Sequence, residues 1–277
     1  MTNPLKYHGG KHYLANWIIG HFPDHIHYVE PYFGGGAVMF AKPVELVEGH
    51  SEVVNDLDTE LMDFWHALQN ELRFEKFVRL ANMTPVSHPL WEASEYADMF
   101  PEEELEWRAL MFFVRFRQSR QALGNCFCTL SRNRTRGGMN EQASSWLSAV
   151  EGLPEFHDRL KRVVILNYDA LDVIKQQDGP NTFFYLDPPY LRETRVAGEY
   201  KHEMSDEDHR FLLDALSQIK GKFLLSGNPS VMYDAAAIDY NWKCVRREID
   251  NKASSKKVKG QRTECLWANY ELTRSDA

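Results

Sequence analysis

The 277-residue sequence is poor in the features that tie a chain to a membrane, a metal or an oxidising compartment. Its four cysteines, Cys126, Cys128, Cys244 and Cys265, form no Cys-x-x-Cys pair and show no zinc spacing, so reduced, mostly structural thiols and no metal are expected. No apolar run approaches the ~20 residues of a membrane span, and Met1 to Lys11 lacks the apolar centre of a signal peptide. The expected setting is the cytoplasm, with no membrane partner. Internal repeats and low-complexity segments are missing too. Basic residues are outnumbered, 32 Lys and Arg against 40 Asp and Glu, for a net charge of −8, which at face value argues against a nucleic-acid partner. The length suits one large domain, or a core plus an inserted lobe.

Net charge hides distribution. Residues 115–136 carry Arg115, Arg117, Arg120, Arg132, Arg134 and Arg136 without one Asp or Glu, and residues 252–262 carry Lys252, Lys256, Lys257, Lys259 and Arg262, again with no acid. Two such patches on an acidic body still make a positive face.

The stretch Phe183-Phe184-Tyr185-Leu186-Asp187-Pro188-Pro189-Tyr190 organises the rest. Its apolar half reads as a strand buried on both faces, as in a parallel sheet. Asp187 then falls at the strand's carboxyl end, where open α/β sheets bind ligands. The two prolines restrict themselves and the residue before them, so Asp187, the Pro188 carbonyl and the Tyr190 ring leave the strand as one stiff unit. That unit fits an exocyclic amine on a planar base: the amine donates to Asp187 and the Pro188 carbonyl, and the ring stacks on Tyr190. An ordinary strand-to-loop turn is the competing reading.

Earlier in the chain, Lys6-Tyr7-His8-Gly9-Gly10-Lys11 precedes a helical pattern from His12 to Gly20. It is not a phosphate loop, which would need Gly at position 5 and Ser or Thr at position 12, where this chain has Leu5 and His12. A flexible turn, or a backbone nest whose lysine holds a carboxylate, accounts for it equally. A strand at 26–30 runs into Pro31-Tyr32-Phe33-Gly34-Gly35-Gly36, a turn tight enough for close approach by a ligand. Gly-x-Gly-x-x-Gly would require Gly at 39, which is Met, so a nucleoside without a pyrophosphate suits it better. A second strand at 51–55 ends at Asp56, placed to accept ribose hydroxyls or to cap the helix beginning near Asp58.

From Leu57 to Lys161 the spacing turns helical, over 57–81, 90–100, 101–122 and 141–162, as a lobe inserted into the core. Trp91, Trp107 and Trp146 are expected to fill its interior. Arg132-Asn133-Arg134-Thr135-Arg136, ending in Gly-Gly, is expected as a loop or hairpin whose donors suit base edges in a major groove. Strands resume at 163–168, followed by Asp169, then at 183–187 and 223–226. A helix over 205–219 opens on a Ser205/Asp208 capping pair, and an antiparallel pair, 242–249 with 265–272, encloses the lysine loop.

In order, Lys6-Tyr7-x-Gly9-Gly10-Lys11, Glu30-Pro31-Tyr32-Phe33-Gly34-Gly35-Gly36, Asn55-Asp56, Asp187-Pro188-Pro189-Tyr190 and Arg262 to Tyr270 resemble the alpha-group, Dam-like DNA adenine-N6 methyltransferases. Tyr32 stands where that family usually has Phe. The resemblance implies a Rossmann-like methyltransferase core, a mostly parallel seven-stranded α/β sheet with an antiparallel edge strand. Residues 1–60 and 162–277 would form the catalytic domain, and 61–161 a mainly helical target-recognition domain. It implies that Lys6, Tyr7, Gly9, Gly10, Lys11, Glu30, Pro31, Tyr32, Gly34 and Gly36 enclose the methionine part of S-adenosylmethionine, Asp56 its ribose and Asp169 its adenine. Asp187, Pro188, Pro189 and Tyr190 would be catalytic. Arg115, Arg117, Arg120, Arg132, Asn133, Arg134, Arg136, Lys252, Lys256, Lys257 and Lys259 would hold double-stranded DNA from which the adenine is flipped. The resemblance implies a bacterial or phage-encoded protein, and a palindromic target would suit a homodimer. An N4-cytosine enzyme, a protein or RNA amine methyltransferase and a non-enzymatic DNA-binding regulator remain as alternatives.

Overall fold

The structure, a computed structural model, describes residues 4–5, 10–45, 47–129, 131–194, 201–250 and 261–272. In chain order the elements are α1 (Ala15–Ile19), β1 (His27–Glu30), α2 (Ala37–Ala41), β2 (Ser51–Asn55), α3 (Thr59–Gln69), α4 (Glu71–Met83), α5 (His88–Ala93), α6 (Leu105–Arg117), β3 (Thr135–Arg136), β4 (Met139–Asn140), α7 (Glu141–Glu151), α8 (Leu153–Leu160), β5 (Val163–Leu166), α9 (Ala170–Gln177), β6 (Thr182–Leu186), α10 (Asp206–Gln218), β7 (Lys222–Gly227), α11 (Val231–Asp239), β8 (Lys243–Asp250) and β9 (Gln261–Ala268). They gather into two compact units, one of residues 1–15, 34–44 and 58–167, the other of residues 16–33, 45–57 and 168–277.

Among the described residues the large sheet has seven strands in the order β5-β2-β1-β6-β7-β9-β8. The run β2-β1-β6-β7 is parallel, with His27 opposite both Ser51 and Thr182, and Leu186 opposite Leu225. β9 runs antiparallel to both β7 and β8 and stands one place in from the edge. β1 has its sequence successor β2 on one side and the much later β6 on the other. The strand order therefore reverses at β1, the place at which open α/β sheets bind ligands beyond their carboxyl ends.

Continuous apolar runs make these strands. Every residue of β6 is buried, and so are Phe223 to Gly227 of β7, because each presents side chains to two covered faces. On one face Phe22 packs edge-on against Phe183 at 4.6 Å and lies 5.8 Å from Tyr28. Elsewhere in the sheet Phe223 meets Trp242 at 4.8 Å. Each such ring contributes about 1.5–3 kcal/mol when fully buried. β9 is held further by Trp267, whose indole nitrogen donates to Asp234 of α11 at 3.1 Å.

The other unit is mainly helical and built round Phe64 of α3, which stacks on Phe113 of α6 at 5.6 Å and meets Trp65 and Phe77 at 4.8 and 5.8 Å. The helical pattern of 57–81 divides at Asn70, which ends α3 and caps α4 by accepting from the Arg73 amide. The 141–162 pattern divides likewise at Gly152, just before Pro154 of α8. Trp146 is buried as expected, but Trp107 is 37 % exposed. It sits a step round α6 from the buried Glu106, Leu110 and Phe113 and stacks on Phe100 at 6.0 Å. Trp91 is half-buried and donates to the Arg115 carbonyl. The arginine segment does form a hairpin: β3 and β4 pair antiparallel across Gly137 and Gly138, whose φ of 59° and 76° suit the tight two-residue turn.

Six tyrosines, Tyr28, Tyr32, Tyr185, Tyr190, Tyr233 and Tyr270, have hydroxyl pKa values held above the ordinary 10 by burial first, and for all but Tyr270 by neighbouring charge as well. A raised folded pKa stabilises the fold below about pH 10. That stability is lost as pH climbs, because the unfolded chain releases protons the folded chain keeps. We expect denaturant midpoints to fall steadily from pH 9.5 to 11, and these tyrosines to show their 295 nm phenolate absorbance only together with loss of near-ultraviolet dichroism.

Candidate active site

Asp187, Pro188, Pro189 and Tyr190 leave β6 directly, with Asp187 half-buried and Pro188 and Tyr190 buried. The neighbouring strand β1 ends in Glu30, which is 2 % exposed and accepts from the Tyr28 hydroxyl at 2.8 Å. Tyr28 and Glu30 lie two residues apart, so the pleat places both on one face and the tyrosine orients its own strand's carboxylate. The negative fields of Asp187, Glu30 and Glu264 all reach Tyr185, and after burial they are what raise its hydroxyl pKa. Three carboxylates thus act on Tyr185: Glu30 at the end of β1, Asp187 just past β6 and Glu264 midway along β9.

A second acidic group lies at the end of β2. Burial is the main cause of the raised Tyr32 hydroxyl, followed by the negative fields of Tyr233, Asp169 and Asp56. Tyr32 is half-buried, and Asp56 and Asp169 stand close enough to act on it. Asp58, not Asp56, caps α3, accepting from the Glu60 amide at 3.2 Å, so the capping reading of Asp56 is not needed. Asp169 does cap a helix, α9, taking the Leu171 amide at 2.8 Å with one oxygen.

The segment between Glu30 and α2 is held to the end of β2. The Phe33 amide donates to the Asn55 carbonyl at 2.8 Å. The fully buried Asn55 side chain donates to the Pro31 and Tyr168 carbonyls, both at 3.0 Å, and accepts from the Tyr168 amide at 2.8 Å. Directly after Phe33 the backbone turns left-handed at Gly34 and Gly36, with φ of 49° and 67°, a region in which a side chain is strained. Gly34 also gives its carbonyl to the Trp65 indole at 3.1 Å. Gly10 is half-buried and Lys11 buried. Lys6, Tyr7 and Gly9 lie outside the described residues.

Tyr190 is tied at its tip. Its hydroxyl donates to Glu264 Oε1 at 2.6 Å, the same oxygen takes the Ser226 hydroxyl at 2.6 Å, and the Arg262 guanidinium lies 5.7 Å from the ring centroid. Asn228 binds the Thr194 carbonyl at 3.1 Å and accepts from Arg262 Nε at 3.1 Å. Glu264, Ser226, Asn228 and Asn55 were not among the residues expected at the site. Glu264 and Asn55 stood inside noted motifs, but nothing in the sequence showed what their side chains reach.

The basic residues divide by environment. Arg132, Asn133, Arg134 and Arg136 are exposed on or beside the β3–β4 hairpin, with Arg134 3.5 Å from Glu141, and Arg120 is exposed after α6. Arg115 and Arg117 are half-buried in α6 and engaged there. Arg115 lies 3.6 Å from Glu95 and 5.9 Å from the Trp91 ring, and Arg117 donates to the Ser145 carbonyl at 2.7 Å. Burial lowers the Arg117 pKa to about 10. Lys252, Lys256, Lys257 and Lys259 lie outside the described residues. Among those described, no cluster of His, Cys, Asp or Glu is arranged to hold a metal ion, and no helix is long and apolar enough to cross a membrane.

Residues 7–263 match the family model described as D12 class N6 adenine-specific DNA methyltransferase. The chain is similar to the type II methyltransferase M1.LlaDCHI of Lactococcus lactis subsp. cremoris, 27% identical over 285 residues that cover 96% of this chain and 94% of that protein. It is also similar to the modification methylase StsI of Streptococcus sanguinis, 24% identical over 98% of this chain and 43% of that longer protein. Among solved structures, the rRNA methyltransferase aviRa from Streptomyces viridochromogenes aligns with 91% of this chain and 82% of its own at 12% identity and a TM-score of 0.38, a likeness too slight to carry an argument.

Asn55→Ala removes one side chain on which three backbone groups depend. It is expected to cost about 3 kcal/mol, because two carbonyls and an amide lose a hydrogen-bond partner, the Pro31 carbonyl while buried. Urea unfolding at unchanged slope measures the loss, and a midpoint equal to wild type would show that the Pro31–Tyr168 link carries no weight.

Proposed function

The chain belongs to the D12 class of N6 adenine-specific DNA methyltransferases and methylates adenine in DNA, and from that premise we propose how its residues divide the work. The methyl donor general to such enzymes is S-adenosylmethionine, which when bound supplies an electrophilic sulfonium methyl. The reading rests above all on one observation: the stiff Asp187-Pro188-Pro189-Tyr190 corner leaves a fully buried strand at the point where strand order reverses, beside the buried carboxylate of Glu30.

The surroundings suit that donor. It carries positive charge at sulfur and at its amino group, and the strand ends around Tyr32 and Tyr185 are acidic enough to act on both hydroxyls. Glu30, oriented by Tyr28, would receive the ammonium. Asp56 would accept the ribose hydroxyls, and Asp169 would turn its outer carboxylate oxygen toward the adenine. The glycine turn that follows Pro31 and Tyr32 lets the backbone approach closely. Lys6 to Lys11 completes this assignment.

The Asp187 carboxylate and the Pro188 carbonyl would accept the two N6 hydrogens of the target adenine while its ring stacks on Tyr190. Accepting both hydrogens draws the N6 lone pair out of conjugation and makes the nitrogen nucleophilic. The rate then comes mainly from positioning, with no covalent intermediate on the protein. An adenine inside a duplex cannot reach such a corner, so double-stranded DNA must give up the base by flipping, at a cost of a few kcal/mol. Tyr190 is 4 % exposed, so groups over its ring, Arg262 among them, must yield to the incoming base.

The exposed hairpin arginines, with Asn133, are the donors we assign to the DNA: their fork geometry suits guanine and adenine edges, and the glycine turn presents them clear of the body. Arg120 and the lysines at 252, 256, 257 and 259 would hold phosphates. Arg115 and Arg117 would act from α6 only after releasing Glu95 and Ser145. A role in modification alongside a restriction enzyme, and a two-fold dimer on a palindromic site, are consistent with this division.

Two experiments test it. Asp187→Ala is expected to lower kcat by about 10³-fold in tritiated methyl transfer to DNA, with calorimetric affinity for S-adenosylmethionine within about threefold of wild type; near-normal turnover would refute the assignment. Replacing Arg134 and Arg136 with Ala should weaken DNA binding and flatten its log–log salt dependence by about 1–2 units. An unchanged slope would move the DNA contact away from the hairpin.

A further inference from the structure

We infer that Glu264 is a positioning residue for methyl transfer, acting through Tyr190, with Ser226 as its partner. The proposal rests on the assignment of Tyr190 as the surface on which the target adenine stacks.

Glu264 lies on β9 and is 2 % exposed. A carboxylate taken out of water is costly unless strong donors meet it. Two do so at one oxygen: the Tyr190 and Ser226 hydroxyls, each at 2.6 Å, with the two hydroxyl oxygens 3.4 Å apart. Both contacts lie at the short end of the hydroxyl–oxygen range. The register makes the triangle possible. Ser226 of β7 pairs with Leu266 of β9, and Gly227 with Cys265, so Glu264, midway along β9, comes just past the end of β7, beside the corner that leaves β6.

A tyrosine used as a platform must hold both its direction and its roll. Tyr190 follows two prolines, so its backbone entry is already stiff and what remains free is the side chain. The hydroxyl lies on the axis through Cβ and the ring, so a bond at the tip fixes where that axis points. Conjugation keeps the phenolic hydrogen in the ring plane, so an acceptor at a set place also biases the roll. Arg262, itself fixed by its Nε bond to Asn228, bounds one side of the ring. β9 thus contributes two neighbouring positions, 262 and 264, to the geometry of a residue 74 positions earlier. Burial and the charges of Asp187 and Glu264 keep the Tyr190 hydroxyl protonated, so the donor is present throughout the working pH range.

Losing the tether lets the ring swing about its first side-chain torsion. Displacements near 1 Å at a reacting site cost on the order of a hundredfold. Glu264→Ala is expected to lower kcat tenfold to a hundredfold, with the KM for S-adenosylmethionine and the affinity for DNA within about threefold of wild type. Glu264→Gln, whose amide oxygen accepts both hydroxyls, is expected to retain kcat within about threefold. In a Tyr190→Phe background the tether is already gone, so adding Glu264→Ala should lower kcat little further. Wild-type kcat in Glu264→Ala, or a full additional loss in the Tyr190→Phe background, overturns the proposal. Should Glu264→Ala fail to fold, Tyr190→Phe decides alone: a roughly tenfold lower kcat at unchanged KM is expected, and wild-type kcat overturns the tether. Tyr190→Ala separates this inference from the reading it rests on. If Tyr190→Ala turns over normally, the stacking platform itself fails; if Tyr190→Ala is inactive while Glu264→Ala is normal, only the tether fails.

Discussion

Parallel pairing of β1 with β6 is the constraint from which the site follows. The two strands lie side by side in register, Tyr28 against Phe183 and Val29 against Phe184, although more than 150 residues separate them. Both are buried, so neither has a face on which to present chemistry. Polar groups can gather only where the strands end. Glu30 and Asp187 are the first such groups past each strand's apolar stretch, and a reversal of strand order leaves no crossover segment above them. Asn55 then fixes the segment after β1, and Glu264 the corner after β6, by the same means: a buried side chain that satisfies polar groups from elsewhere in the fold.

The charge pattern divides along the same lines. Acid is concentrated at the strand ends, where a cationic methyl donor is to be held, and base is exposed on a hairpin that suits a polyanion. A net charge of −8 is compatible, under the proposed function, with two binding partners of opposite sign. Under the proposed function these carboxylates would repel a phosphate backbone, which would favour entry by a single extruded base over close approach of the whole duplex.

What could be read from the sequence was local. A wholly apolar run ending in Asp-Pro-Pro-Tyr announces its own strand and its own break, and the Ser205/Asp208 capping box was visible because cap and partner are three residues apart. The glycine turn and the two-strand ribbon of β8 and β9 were legible for the same reason. The unforeseen helices, α9 and α11, are short, and α11 carries so little contrast between its faces that no helical period stands out. Asn55 and Glu264 escaped notice as site residues because their partners come from 24, 38, 74 and 113 positions away. Arg115 and Arg117 looked like part of one basic patch with the hairpin, but helical geometry turned them toward Glu95 and Ser145. Trp107, expected in the interior, was misjudged, since a helix that buries Glu106 and Leu110 carries its neighbour round toward water.

The place of β9 has a kinetic meaning. It is later in the chain than β8 but lies inside it, and among the described strands β8 touches the sheet only through β9. β8 therefore cannot join the sheet until β9 has paired with β7, although β8 comes first in the chain. Until that pairing occurs β7 presents an open apolar edge, and Tyr190 has no carboxylate to turn to. Under the proposed function, the tip of Tyr190 is fixed only once β9 has paired with β7.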